Sequence, residues 1–137
     1  MAQIKETEAP VASLVGEAII MQFKSIVGDE NVFVDEERRT DYGHDKTEDY
    51  QFMPDVVVRP ANTQEVSELL KICNEHKLPT TPRGAGTGLS GGALPVKKGV
   101  VISMERFNKI IQIDELNLQA TVEPGVITEV FQNAVKE

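Results

Sequence analysis

Nine residues, Gly84-Ala85-Gly86-Thr87-Gly88-Leu89-Ser90-Gly91-Gly92, hold five of the ten glycines in the chain, and Pro82-Arg83 leads directly into them. A glycine costs the folded state roughly 0.5–1 kcal/mol of conformational entropy relative to alanine. Five in one short run therefore mark positions where a side chain is not accommodated. Either the backbone turns there through positive φ, or a ligand lies against it. Successive backbone N–H groups exposed in such a run form a concave anion site suited to phosphate oxygens. The first expectation is a loop that cradles a phosphorylated cofactor.

The elements around the loop limit the fold that can present it. Residues 1–12 read as a loose, flexible lead-in, and Val15, Ile19, Phe23 and Ile26-Val27 recur at helical spacing up to Gly28, a C-cap residue. Asn31–Val34 is a short edge-strand segment, and Asp35–Phe52 is charged, irregular and rich in turn formers. Asp55-Val56-Val57-Val58-Arg59 reads as a strand buried on both faces. Asn62 with Glu65 then caps an amphipathic helix carrying Val66, Leu69, Leu70 and Cys73 on one stripe. A short strand over Leu78–Pro82 completes a βαβ unit, whose two strands are expected to be parallel neighbours. The glycine loop leaves the carboxyl end of that second strand, where open α/β sheets bind ligands.

Beyond the loop, Gly99–Met104 is a third buried strand, Ile110–Asp114 and Leu118–Val122 form a hairpin, and a helix starts near Thr128. The expected fold class is α+β: a small parallel βαβ-based subdomain with flanking helices, then the start of a second, mixed or antiparallel sheet subdomain. The boundaries follow as 1–12 for the lead-in, 13–104 for the first subdomain and 105–137 for the beginning of the second.

Composition removes several function classes. A net charge of −8 argues against a nucleic-acid surface, which needs clustered Lys and Arg. The acidic residues gather at Asp29–Glu37 and Asp41–Asp49 and read as a solvated, repulsive face. The single cysteine, Cys73, gives no disulfide framework and takes a core position. No apolar run reaches the roughly 18 residues of a membrane span, and the polar first ten residues lack a signal-peptide core, so a cytoplasmic location is expected.

Three kinds of glycine loop compete for the cradle. A P-loop needs G-x-x-x-x-G-K-[ST], and no lysine lies between Lys77 and Lys97. Gly86-Thr87-Gly88-Leu89-Ser90-Gly91 satisfies G-x-G-x-x-G, but the dinucleotide version must open a helix, which Gly91-Gly92 and Pro95 interrupt. The acidic residue at the end of a second strand is also absent from a convincing place. What is left is a loop that binds pyrophosphate with backbone amides alone, between two subdomains.

Pro82-Arg83-Gly84-Ala85-Gly86-Thr87-Gly88-Leu89-Ser90-Gly91-Gly92, preceded by the strand–helix unit and followed by Val122-Glu123-Pro124-Gly125, resembles the FAD-linked oxidases of the vanillyl-alcohol oxidase type, with a PCMH-type FAD-binding domain. Within these, the likeness is nearest to the D subunits of glycolate oxidases and to D-lactate dehydrogenases, and runs from about Asp41 to the C-terminus. The resemblance implies FAD in a cleft between two α+β subdomains. It implies that Arg83, Gly84, Ala85, Gly86, Thr87, Gly88, Leu89, Ser90 and Gly91 wrap the pyrophosphate through main-chain amides, and that the Pro124-Gly125 turn approaches the cofactor. Thr87 can add a hydroxyl donor. Arg83 has two readings, offsetting phosphate charge or pairing with a local acidic residue. Some relatives hold FAD through a histidine in this loop. None follows His76, so attachment is expected to be non-covalent, and His44 reads as a solvated surface residue.

The resemblance further implies a longer protein, with more of the second sheet and a domain that binds the 2-hydroxy acid. The chain is thus expected to be the N-terminal portion of an FAD-dependent 2-hydroxy-acid oxidoreductase of glycolate or D-lactate type: a shortened form, a split subunit or an incomplete frame. The missing remainder, a companion subunit or a second copy would then be its partner. On its own it is expected to be inactive and to hold FAD weakly. No catalytic residue and no metal ligand is identifiable. The alternative is a non-catalytic binding or interaction module working through the unfinished hairpin edge. Gly86→Val or Gly88→Val is expected to abolish flavin retention and leave the fold largely intact.

Overall fold

Val56-Val57-Val58 and Val100-Val101-Ile102 are apolar at every position, so both faces of any sheet they build must be covered. The computed structural model describes residues 13–136; the lead-in expected over residues 1–12 lies outside them. In chain order the elements are α1 (Glu17–Val27), a 3-10 turn (Asp29–Asn31), β1 (Val32–Phe33), α2 (Glu36–Thr40), β2 (Val56–Val58) and α3 (Thr63–Glu75). β3 (Thr80–Arg83), β4 (Val100–Ser103), β5 (Ile110–Asp114), β6 (Gln119–Val122) and α4 (Thr128–Ala134) follow.

Four strands form one sheet in the order β1-β2-β4-β3, with β1 antiparallel at the edge and β2 and β3 both parallel to β4. The two strands of the βαβ unit are therefore not neighbours, as sequence order suggested. β4 inserts between them, pairing Val100 with both Val56 and Thr80. The reason is burial. All four residues of β4 are buried, whereas Thr80 and Pro82 of β3 are exposed and suit a sheet edge.

Strand alternation sends Val56, Val58, Val100 and Ile102 to one face, where they pack with Phe23 and Val27 of α1 and Leu69 and Cys73 of α3. Cys73 is thus a core residue, and burial pushes its thiol up to about 11. Val57 and Val101 point the other way, onto Phe33 and Tyr42. α3 starts as its cap residues dictate: Asn62 Oδ1 accepts the Glu65 N–H at 3.0 Å, and Glu65 reaches back to the Ala61 N–H at 2.7 Å. The charged segment after β1 is more ordered than its composition suggested, because Asp35 caps α2 through the Arg38 N–H.

The hairpin β5–β6 is a separate two-stranded sheet with a register shift between Ile110 and Gln112. Asp114 fixes its turn by accepting the Asn117 N–H at 3.0 Å, and Leu118 sits at φ 52°. Ile111, Leu116 and Leu118 are exposed on it. Gly125 draws the chain back toward the first sheet, its N–H reaching the Phe107 carbonyl at 2.7 Å.

Candidate functional site

The glycine loop leaves β3 at Arg83, and no helix follows before β4. Leu94 and Pro95, both buried, anchor its far end. This is the helix-free loop that Pro95 requires.

Its hydrogen bonds are asymmetric. The carbonyls of Arg83, Gly88 and Gly91 accept from Met104, Lys46 and Leu94 N–H groups at 2.8, 3.1 and 3.2 Å. The N–H groups of Gly84, Ala85, Gly86, Thr87, Gly88, Leu89 and Ser90 have no acceptor among the described residues. Unpaired, and on residues that are exposed except for the half-buried Gly86, they are donors that water or an anion must satisfy. The Thr87 hydroxyl likewise has no partner among the described residues and is exposed.

The glycines divide into two groups. Gly86 is required by the chain, since φ is +69° and a Cβ would overlap the Arg83 guanidinium. Gly125 is required as well, because a Cβ would overlap the Met104 carbonyl and lie 2.7 Å from the Phe107 carbonyl oxygen. At Gly88 the nearest protein atom to a Cβ is Asp45 Oδ2 at 4.0 Å, at Gly84 the Pro124 carbonyl oxygen at 3.6 Å, and at Gly92 nothing lies within 4 Å. The polypeptide leaves room for a Cβ at these three positions, so the fold itself does not require glycine there.

An open cleft of about 620 Å³ borders the start of the loop and brings together Arg83, Gly84 and Ala85 with Gly125, Ile127 and Val130 from beyond the hairpin. Two segments that are 40 residues apart in sequence therefore meet at one site. Gly86 to Gly91 continue past this cleft, and Pro124 meets the site through its carbonyl beside Gly84.

Arg83 follows neither of its sequence readings directly. Arg83 is only 8% exposed, and its guanidinium donates to the main-chain carbonyls of His44 at 2.6 Å and Asp41 at 3.1 Å. Burial lowers its pKa, against which Tyr42, Asp45, Glu105 and Asp41 act. It ties a distant segment to the loop and places a cation beneath it.

That segment, Asp41–Thr47, was missed by sequence reasoning, which read it as a solvated acidic face. Asp45 is only 6% exposed and accepts the Thr47 N–H at 2.7 Å. Burial raises its pKa, but the Thr47 bonds, the Ala93 N–H and the Arg83 charge outweigh this and hold the carboxyl below its ordinary value. Tyr42 packs against Phe33 at 5.9 Å and donates to Glu105 at 2.9 Å. Burial first, and then Glu105, push its hydroxyl up to about 12. Arg59 binds the same Glu105 at 2.9 Å, so the Glu105 carboxylate on the cleft wall is already engaged. Only turn-forming residues marked this segment in the sequence, and they do not reveal tertiary contacts. The His44 side chain is exposed, as expected.

Comparison with known proteins gives a consistent picture. The family described as FAD binding domain matches residues 54–137. The chain is 48% identical over 107 residues to the glycolate oxidase subunit GlcD of Bacillus subtilis, covering 78% of this chain and 23% of that protein. It is 36% identical over 121 residues to a probable mitochondrial D-lactate dehydrogenase of Danio rerio, covering 88% of this chain and 24% of that protein. Among solved structures, p-cresol methylhydroxylase with substrate bound matches with a TM-score of 0.78 and 30% identity, over 87% of this chain and 24% of that one. The chain spans about a quarter of the length of the relatives it matches.

Proposed function

The chain belongs to the FAD binding domain family, among the FAD-linked oxidases of the vanillyl-alcohol oxidase type, and on that premise we propose that it is the pyrophosphate-holding part of an oxidoreductase acting on a small 2-hydroxy acid of the glycolate or D-lactate kind. The observation that carries this reading is the row of unpaired amides from Gly84 to Ser90 beside a cleft that Gly125 borders from the other side.

The residues fit the family's cofactor, FAD. A pyrophosphate offers acceptor oxygens and no donor, and the loop offers unpaired N–H donors while the Arg83, Gly88 and Gly91 carbonyls are taken up by Met104, Lys46 and Leu94. The space beside Gly84, Gly88 and Gly92 lets those oxygens approach the amides. Thr87 adds a hydroxyl donor, Arg83 lends positive charge from beneath the loop, and Gly125 keeps the opposite turn close. No histidine lies in the loop, which supports non-covalent binding. When bound, the flavin supplies the two-electron acceptor for oxidation of the hydroxyl-bearing carbon. The substrate class rests on the glycolate and D-lactate relatives. Further polypeptide, in the same chain or in a companion subunit, would bind the acid, since this chain covers only 23% and 24% of those relatives. We further propose a cytoplasmic location, on the single cysteine, which gives no disulfide framework.

Nuclear magnetic resonance of the 15N-labelled protein, titrated with FAD, tests the cradle. Shifts are expected at the amides of 83–91 and 124–125. Shifts confined to other residues, or none, would refute it. Anaerobic bleaching of bound flavin by glycolate or D-lactate, in protein expressed with any coding sequence continuous with this one, tests the substrate. No bleaching by either acid would overturn that assignment.

A further inference from the structure

A loop whose amides stay unpaired cannot be stabilised by its own N–H groups, so something else must hold it. Residues 41–47 cross behind it and bind it at both ends. Arg83 donates to the His44 and Asp41 carbonyls, the Lys46 N–H donates to the Gly88 carbonyl at 3.1 Å, and the Gly91 N–H donates to Thr47 Oγ1 at 2.8 Å. The Thr47 hydroxyl also faces the Gly88 carbonyl at 3.5 Å. The strap is fixed independently of the loop. Tyr42 sits on the sheet face, Phe52 N–H reaches the Gly43 carbonyl at 2.8 Å, and Asp45 Oδ1 holds the Thr47 N–H at 2.7 Å.

This geometry has a directional consequence. In a trans peptide the C=O and the following N–H point in opposite directions. Drawing the Gly88 carbonyl back to Lys46 and Thr47 therefore aims the Leu89 N–H away from the strap, toward the open side of the loop. The Gly91 bond pins the far end of this stretch, and by the same rule it turns the Ser90 carbonyl, not an amide, away from the strap.

Resting on the pyrophosphate reading above, we propose that Thr47, itself set by Asp45, is a positioning residue of the cradle. It holds the Gly88–Gly91 stretch so that the Leu89 amide is oriented toward the phosphates before the cofactor arrives. Such preorganisation appears in affinity because the ordering is complete before binding.

The test uses the 15N-labelled protein, Thr47→Val, which keeps the shape without the oxygen, and Thr47→Ser, which keeps the oxygen. In the free parent, the Gly91 amide is expected to exchange at least about tenfold more slowly than those of Gly84 and Gly88, and T47V to lose that protection. FAD affinity, read from the shifts at 84–90, should fall about tenfold in T47V and return to within about twofold of the parent in T47S. Core amides such as Leu69 and Val101 should keep their protection throughout. Gly91 exchanging as fast as Gly84 in the parent, or T47V binding FAD like the parent, would overturn the proposal. If T47V does not fold, parental Gly91 protection and the affinity of Thr47→Ala against T47S decide it. Amides 84–90 unmoved by FAD in the parent would instead overturn the cofactor reading. Fast Gly91 exchange with those shifts intact would overturn this inference alone.

Discussion

Gly86 and Gly88 lie two residues apart in the same loop, yet alanine at each should act on different quantities. At Gly86, φ is +69°, and placing a Cβ in the left-handed region costs roughly 1–2 kcal/mol. That Cβ would also lie 2.5 Å from Arg83 Cζ and overlap the guanidinium. A long side chain normally swings away, but this one is held by the Asp41 and His44 carbonyls. Losing one charge-assisted bond adds about 1.5–3 kcal/mol. The sum is about 3–5 kcal/mol, a drop in melting temperature of about 10–15 °C for a domain of this size. At Gly88 the nearest protein atom is 4.0 Å from a Cβ and φ is outside the left-handed region. Gly88→Ala should therefore leave the free protein unchanged or more stable by about 0.4–1 kcal/mol, through the unfolded chain. Its methyl group enters the cradle, so FAD affinity should fall by about tenfold or more, given what overpacking costs. Circular-dichroism melts of the free proteins and FAD titrations of each provide both readings. The expectation that valine at either position spares the fold is thus corrected for Gly86. Melts of Gly86→Ala and parent that coincide, or parental FAD affinity in Gly88→Ala, would refute the division.

Tyr42 supplies a pH prediction. Burial and Glu105 raise its hydroxyl to about 12, so its contribution to stability is full below the unfolded value near 10 and is lost as pH rises from there to about 12. Urea midpoints should decline across that window, and Tyr42→Phe should remove part of the decline; identical profiles would sink the assignment. Cys73, with its thiol near 11 and buried in the core, should resist a thiol reagent in native buffer and react fully in denaturant; fast native labelling would contradict its placement. FAD affinity should change little, or rise slightly, when salt is increased. The donors are neutral amides, and Asp41 and Glu105 line the cleft beside Arg83. A steep loss of affinity with salt would mean that charge, not the amides, binds the pyrophosphate.

The elements with strong local signals were legible in the sequence. Val56–Val58 and Val100–Ser103 declared themselves as buried strands, Asn62 and Glu65 marked the start of α3, and Pro95 excluded a helix after the loop. What was not legible depended on tertiary choice. Nothing local says that β4 inserts between β2 and β3, because parallel pairing is decided by which strand best fills the sheet centre. Nothing local says that Asp45 is buried either. An acidic, turn-rich segment normally favours water, and here Arg83, Thr47 and the loop supply the partners that overrule that preference. Arg83 was expected to offset phosphate charge or to pair with an acidic residue, and its guanidinium instead holds carbonyls of the strap.

The asymmetry of the loop explains why a site of this kind needs residues so far from it in sequence. Amides reserved for a ligand are withdrawn from the hydrogen-bonding that normally fixes a loop. Holding must then come through a few of the carbonyls. That is how the Arg83, Gly88 and Gly91 carbonyls are used, taken up by Met104, Lys46 and Leu94. Gly91 shows the same rule from the other side, since its N–H is given up to Thr47 where the row of unpaired amides ends. A glycine-rich sequence supplies the closeness of approach, but the directions of the Gly84 and Leu89 N–H groups are set by what binds the Arg83 and Gly88 carbonyls before them. The strap, which carries no cofactor motif of its own, would therefore be as much a part of the proposed cradle as the glycines.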